Sequence, residues 1–291
     1  MAKRPIRMCV DRAITDPWDR QRLADLAAAE NPANAPRADL VGRAMLSRLG
    51  IAFVTNSIWK NGRTLKVAFL GGTATQQTDA RKAAAEVELY ANLRFDFGAP
   101  AADSDIRIKF DAGDGAWSMV GTDALGVAKN QATMNLGFNQ AGTYVHEFMH
   151  AVGAIHEHQH PEAGIRWNEA AVYAYYAGSP NFWDKATTKH NVLDTYSRTL
   201  TQHSTFDPKS IMLYPIDKRL TLDGFSVGWN GEMSDTDKAW LGKVYPKGGV
   251  VPPTDPPVKT VRIAVSAYVD LPAGAVVGVA GTVAGTCKRI Q

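Results

Sequence analysis

The period of apolar and polar positions changes several times along the chain, and each change marks an element. After the cap and first-turn pair Asp16-Pro17, apolar residues recur at Leu23, Leu26 and Ala27, the spacing of one helical face. Asn31-Pro32-Ala33-Asn34 ends that helix, and residues 36–49, with Leu40, Ala44 and Leu49 available for burial, predict a second. From Trp59 the period shortens to two. Residues 65–69 read as a strand stopped by Gly71-Gly72, residues 78–92 as a helix, and residues 105–110 as a strand with one face in water. Shorter strands are expected near 117–121 and 133–137. Strand, helix, strand opens a mixed twisted sheet and predicts an α+β fold.

Helical spacing returns at residues 143–152, where Val145, Phe148, Met149 and Val152 share one face while His146 and His150 share the other. Beyond residue 165 the chain is helical and aromatic, and Trp167, Tyr173, Tyr175, Tyr176, Phe182 and Trp183 read as the ordinary packing of a mainly helical lower subdomain. Ser234-Asp235-Thr236-Asp237 has the form of a helix cap with acid at the positive end of the dipole, opening a last helix to Tyr245. Pro and Gly then dominate, so residues 248–257 read as an extended linker. The expected organisation is a basic helical extension at 1–50, a main domain at 51–247, that linker, and a short β-rich tail at 258–291.

Composition narrows the class. Of 291 residues, 45% are apolar and 21% charged, which is globular and excludes disordered, collagen-like and coiled-coil chains. The net charge is 32 minus 29, or +3, with nine Lys/Arg against six Asp/Glu in the first fifty residues, so no basic face argues for nucleic acid. Cys9 and Cys287 stand near opposite ends and cannot form a framework of closely spaced disulfides. No apolar stretch of signal-peptide length follows the basic start, so a Sec-type signal is not expected, which leaves the compartment open. The longest uncharged run, 271–287, contains Pro272 and falls short of the roughly 20 residues of a membrane span.

Histidine changes the picture most, because five of seven lie between 146 and 160. His146 and His150 are one helical turn apart and can share a cation. Gly153 is placed to turn the chain back and bring His156 round as a third ligand. Three neutral imidazoles suit Zn²⁺ with a position left for water, and Glu147 is placed to take that water's proton. The competing reading, a helix with surface histidines, explains neither the third histidine nor the glycine. His158 and His160 fall past the turn and read as solvated residues or as donors behind the ligands.

His146-Glu147-x-x-His150-x-x-Gly153-x-x-His156 with a downstream methionine turn is the metzincin signature. Ser210-Ile211-Met212-Leu213-Tyr214, whose Met212 lies 56 positions beyond His156, resembles the Ser-x-Met-x-Tyr segment of the astacin family, and Glu157 after the third histidine also looks like an astacin. Weaker likeness runs from Trp59 to Tyr245, through residues 90–95, 106–108, Trp117-Ser118 and Asp207-Pro208. The resemblance implies a zincin-like catalytic domain and a zinc-dependent endopeptidase acting on protein or peptide substrates. It implies zinc ligation by His146, His150 and His156, and Glu147 as general base. It further implies a hydrophobic floor at Met212, and Tyr214 as an extra ligand that swings to stabilise the oxyanion.

The chain departs from that pattern at His158-Gln159-His160-Pro161, where Arg and acidic residues are common, at Leu213, where His is common, and in having no cysteine between Cys9 and Cys287. It looks like a divergent microbial-type branch. In the family the glutamate after the third histidine contacts the N-terminus left by propeptide removal, a role open to Glu157. Cys9, flanked by Arg7 and Arg12, admits two readings: a buried free thiol, or a thiolate filling the open zinc position and silencing the enzyme. A substrate would pair with an edge strand, expected at 133–137. The alternatives to a general endopeptidase are a zinc-stabilised protein- or glycan-binding module without turnover, or a narrow-specificity effector or toxin protease. Glu147 and Tyr214 count against the first of these, because structural zinc needs neither.

Overall fold

The computed structural model describes residues 7–12, 17–35, 57–195 and 205–248, together with two short strands at 261–262 and 284–285. The expected helix at 36–49 and the linker at 249–257 lie outside the described residues. Two compact units are present, one formed by Met1–Ala35 with Phe53–Val250 and the other by Pro36–Ala52 with Val251–Gln291. In the second, Val261–Arg262 pairs antiparallel with Ala284–Gly285.

The first unit opens with helix α1 (Pro17–Glu30). Its sheet has five strands: β1 (Thr64–Phe69), β2 (Arg94–Asp96), β3 (Ile106–Lys109), β4 (Ala116–Ser118) and β5 (Met134–Leu136), in the order β2-β1-β3-β5-β4. All neighbours are parallel except β4, which runs antiparallel to β5. The edge strands are therefore β2 and β4. The expectation that 133–137 forms the edge is corrected: β5 is interior, because the short strand before it folds back and covers its free side.

Two further expectations shift. Helix α2 spans Ala74–Glu88 and not 78–92, because Thr73 accepts from the Gln76 N–H while the Gln76 side chain returns to the Thr73 N–H, a capping box four residues ahead of the alanine-rich stretch. Its expected last turn instead delivers Asn92, whose N–H donates to the Tyr245 carbonyl at 2.9 Å. Strand β3 has no solvated face. Arg107 is fully buried, and its guanidinium donates to the carbonyls of Gln131 (2.6 Å), Ser104 (2.9 Å), Val127 (3.1 Å) and Ala128 (3.3 Å). An alternating pattern marks a wet face only if no loop folds over it, and here residues 127–131 do.

Helix α3 (Thr143–Ala151) carries the histidines and is buried along its whole length. Phe148, Met149 and Val152 face the sheet, and the Phe148 ring meets Phe95 edge-on at 5.2 Å. Burial of each such side chain stabilises by about 1.5–3 kcal/mol. The helix ends at Gly153, whose φ of 100° lets its N–H donate to the His150 carbonyl while Ala154 donates to Met149. A Cβ at Gly153 would lie 2.6 Å from Ile58 and 3.1 Å from the Ser57 carbonyl, so space as well as φ requires glycine. The Trp59 indole and the Tyr245 hydroxyl take the remaining carbonyls, Ala151 at 2.8 Å and Val152 at 2.7 Å. The helix end that positions the third histidine is thus fixed from three directions. Below the site lie α4 (Glu169–Ala177), α5 (Lys185–Thr188), a π-helical turn at Lys189–Leu193, and the last helix α6 (Asp235–Val244).

Candidate active site and metal centre

The geometry begins with what orients each ring. His146 Nδ1 lies 2.8 Å from the Ile211 carbonyl and His150 Nδ1 lies 2.9 Å from the Ala154 carbonyl. A carbonyl only accepts, so both Nδ1 atoms carry the proton and both Nε2 atoms present lone pairs. Those lone pairs converge: His150 Nε2 is 3.1 Å from His146 Nε2 and 3.0 Å from His156 Nε2. Tetrahedral Zn–N bonds of about 2.0–2.1 Å separate ligand atoms by roughly 3.3 Å, so the spacing fits that ion. Unprotonated nitrogens facing each other repel unless a cation lies among them, and the donor set therefore fits zinc.

Burial matches this chemistry. It pushes the His146 imidazole down to about 3, with His150 adding to the effect, and drives His150 and His156 down as well, so all three imidazoles are neutral at neutral pH. Glu147 is fully buried, and neither of its carboxylate oxygens has a hydrogen-bond partner. Burial pushes its carboxyl up to about 8 against a smaller opposing pull from the Cys9 thiol, which stands beside it without making a well-formed hydrogen bond. A divalent cation acts the other way and favours the carboxylate.

The fourth member of the cluster is Cys9. Its Sγ and the three imidazole nitrogens all lie within 4.8 Å of one another. Cys9 reaches this place because residues 7–12 lie along β4: Cys9 bridges Ala116 in parallel sense, and Val10 donates to the Ala116 carbonyl at 3.0 Å. The Arg12 guanidinium sits 3.7 Å over the Trp117 ring and pairs with Asp114 at 2.8 Å, while Arg7 donates to the Ala112 carbonyl at 2.7 Å. Across the cleft the Met8 N–H donates to Asn181 Oδ1 at 3.1 Å and the Asp11 N–H to Asn191 Oδ1 at 2.6 Å.

Tyr214 is buried with its ring between His156, 4.4 Å away, and His158, 4.3 Å away, and its hydroxyl donates to the Cys9 carbonyl. Met212 is buried, its N–H donating to Ser210 Oγ and its carbonyl accepting from the Glu157 N–H. Glu157 Oε1 accepts from the Asp207 N–H at 2.7 Å, and burial pushes its carboxyl up to about 7. Solvation of His158 and His160 is corrected, since both are buried. His158 donates from Nε2 to the Asn191 carbonyl at 2.7 Å, and His160 Nδ1 accepts from the Glu162 N–H at 2.9 Å. The chain folds back under the site after Pro161, and a run of histidines past a turn does not reveal that.

Asp237 belongs to the site and was legible only as a helix cap. It accepts from Ser210 Oγ (2.7 Å), Ile211 N–H (2.8 Å) and Ser234 N–H (2.9 Å), and so holds the turn whose carbonyl orients His146. A family model described as Astacin, a peptidase family, matches residues 54–221, more than half of the chain and the whole of the histidine and methionine-turn site. The chain belongs to the astacin family. Two solved structures of myroilysin are similar to it. One is 42% identical over 67% of this chain and 98% of its own, with a TM-score of 0.64, and the other is 43% identical over 66% and 86%, with a TM-score of 0.51. The protein is a zinc-dependent metalloendopeptidase with the α+β metzincin fold. Its substrates are proteins or peptides. Among the described residues no helix is long and apolar enough to cross a membrane.

Proposed function

We propose that His146, His150 and His156 hold the catalytic zinc, that Glu147 is the general base, and that Tyr214 stabilises the oxyanion. The observation that carries this is the convergence of three imidazole Nε2 atoms beside a buried carboxylate whose oxygens have no hydrogen-bond partner. Zinc held there polarises a scissile carbonyl and acidifies water. The Glu147 carboxylate takes the proton of the attacking water and passes it to the leaving amine. The Tyr214 hydroxyl, held between two imidazoles, turns from the Cys9 carbonyl to donate to the tetrahedral oxyanion. A peptide-library digest with and without a chelator tests this. Chelator-sensitive cleavage restored by zinc is expected, and chelator-resistant cleavage overturns it.

A second reading concerns the state described. Cys9 among the three histidines completes an S,N,N,N set that matches a closed four-ligand zinc site, and residues 7–12 fill the cleft where a substrate would lie. We propose that this is a latent form, with residues 1–50 as a pro-segment ahead of a catalytic domain at 51–247 and with 248–257 tethering the tail. Cys9→Ser is expected to raise the specific activity of the full-length chain. Unchanged activity discards the latency reading and leaves the zinc site assignment standing.

A further inference from the structure

Two amide side chains on the cleft wall opposite β4 have no part in the chemistry above. Asn191 stands on the π-helical turn Lys189–Leu193, a geometry found mostly at functional sites. It is 1% exposed and cannot rotate freely, since its Nδ2 donates to the Thr187 carbonyl at 3.0 Å and its own carbonyl accepts from His158. Its Oδ1 is thereby aimed into the cleft. Asn181 stands on the loop between α4 and α5, where the next residue, Phe182, adopts a left-handed φ of 53° with its side chain 73% exposed. A bulky residue holds that backbone only where its surroundings impose it, and such positions cluster at ligand-binding sites. Here Phe182 donates to the Gly178 carbonyl, Trp183 donates to the Tyr176 carbonyl, and the Trp183 ring stacks on Tyr176 at 4.9 Å.

In the described state these two oxygens accept main-chain N–H groups, not side chains. Asn181 takes the N–H of Met8, one residue before the cysteine at the metal cluster, and Asn191 takes that of Asp11, two residues after it. The Ala116 carbonyl on β4 takes Val10 from the other wall. When residues 7–12 leave, both oxygens lose these donors, and for the buried and pinned Asn191 an acceptor left unpaired is costly. We infer that Asn181 and Asn191 are substrate-binding residues that grip the peptide main chain on either side of the metal, so that the enzyme selects extended segments with free backbone N–H groups at two positions flanking the scissile bond. This rests on the endopeptidase reading above. Such a grip ignores side-chain identity and rejects proline or an N-alkylated residue at those two positions.

The test is a scan of single backbone N-methylations along one cleaved peptide, assayed on the full chain after an activating nick downstream of residue 12. Two positions, one on each side of the scissile bond, are expected to raise KM up to about tenfold with little change in kcat, the effect of one lost hydrogen bond, with the larger penalty at the position facing the buried Asn191. In Asn181→Ala one of the two penalties disappears, and in Asn191→Ala the other does. A merely structural role would lower activity on every peptide alike. If Asn191→Ala does not fold, the wild-type scan and Asn181→Ala decide alone. Penalties unchanged in the variants, or no two-position pattern in the wild type, overturn the inference. Failure of the wild type to cleave any peptide with zinc present defeats the endopeptidase reading instead.

Discussion

Asp237, in the first turn of the last helix, accepts the backbone N–H of Ile211 at 2.8 Å from 26 positions along the chain. Because the Ile211 carbonyl fixes the His146 ring at 2.8 Å, a helix cap and a proposed metal ligand are joined through one residue. Partners behind metal ligands fix ring orientation and basicity, and their loss costs about 10–100-fold in affinity or activity. Asp237→Asn is therefore expected to weaken zinc binding about tenfold, by competition with a chromogenic chelator, while Ser210 and Ser234 keep partial caps. Unchanged affinity would show that the turn holds His146 without this carboxylate.

The hold of residues 7–12 should respond to the thiol and to its neighbours. Replacing Arg12 removes the guanidinium from Trp117 and Asp114, both on the β4 side of the cleft. Arg12→Ala is expected to speed modification of Cys9 by a thiol reagent severalfold in the full-length chain, since contacts of this class contribute about 0.5–2 kcal/mol. No change in the modification rate would mean the segment is held by its backbone contacts alone.

His190 gives that hold a pH dependence. Its Nε2 is 3.7 Å from Asp11 Oδ2, and this carboxylate raises the imidazole above its ordinary value, helped by Asp194 and opposed by burial and by Lys189. The raised group is the one in the docked state, so the contribution is complete below about pH 6.5 and is lost as pH rises through the docked value. The pair is partly exposed and screened, which limits it to about 0–1 kcal/mol. The ratio of Cys9 modification rates in His190→Gln and wild type should be above one near pH 6 and fall toward one by pH 9. A ratio independent of pH would remove His190 from the account.

Arg107 makes a stability prediction away from the chemistry. Arg107→Met fills much the same space but takes the donor from the carbonyls of Val127 and Gln131, while Ser104 keeps the Lys129 ammonium and Ala128 keeps the Gln131 N–H. At about 1–3 kcal/mol for each of these two acceptors, a loss of at least about 2 kcal/mol is expected by denaturant unfolding. A loss below about 1 kcal/mol would mean that the loop at 127–131 rearranges freely.

What the sequence made legible divides along physical lines. The histidine helix, its glycine turn and the approach of the third histidine were readable because metal geometry dictates spacing within eleven residues, from His146 to His156. The Thr73 capping box was hidden by an alanine-rich stretch that begins with higher helix propensity further on. The strand order was not local information: whether β4 or β5 lies at the edge depends on how a hairpin folds back, and the periodicity of each strand is silent on it. Burial of Arg107 and His158 likewise depends on distant loops that cover them. Cys9 is the extreme case, since its two readings differ only in a contact with residues more than 130 positions away. The resemblance to astacins anticipated the family because it rests on two separated motifs, and it gave no indication of Asn181 or Asn191.

In the proposed site His146, His150 and His156 bind one zinc, and Glu147 acts beside it as general base. Glu147→Gln keeps the shape of that side chain and removes only its basicity. Zinc content by elemental analysis and peptide cleavage, measured on the same preparations of wild type and variant, test it most directly. One zinc per chain in both proteins, with cleavage reduced at least about 10²–10⁴-fold in the variant, is the predicted result. Retained turnover in Glu147→Gln, or a wild type that cleaves without zinc, would contradict it.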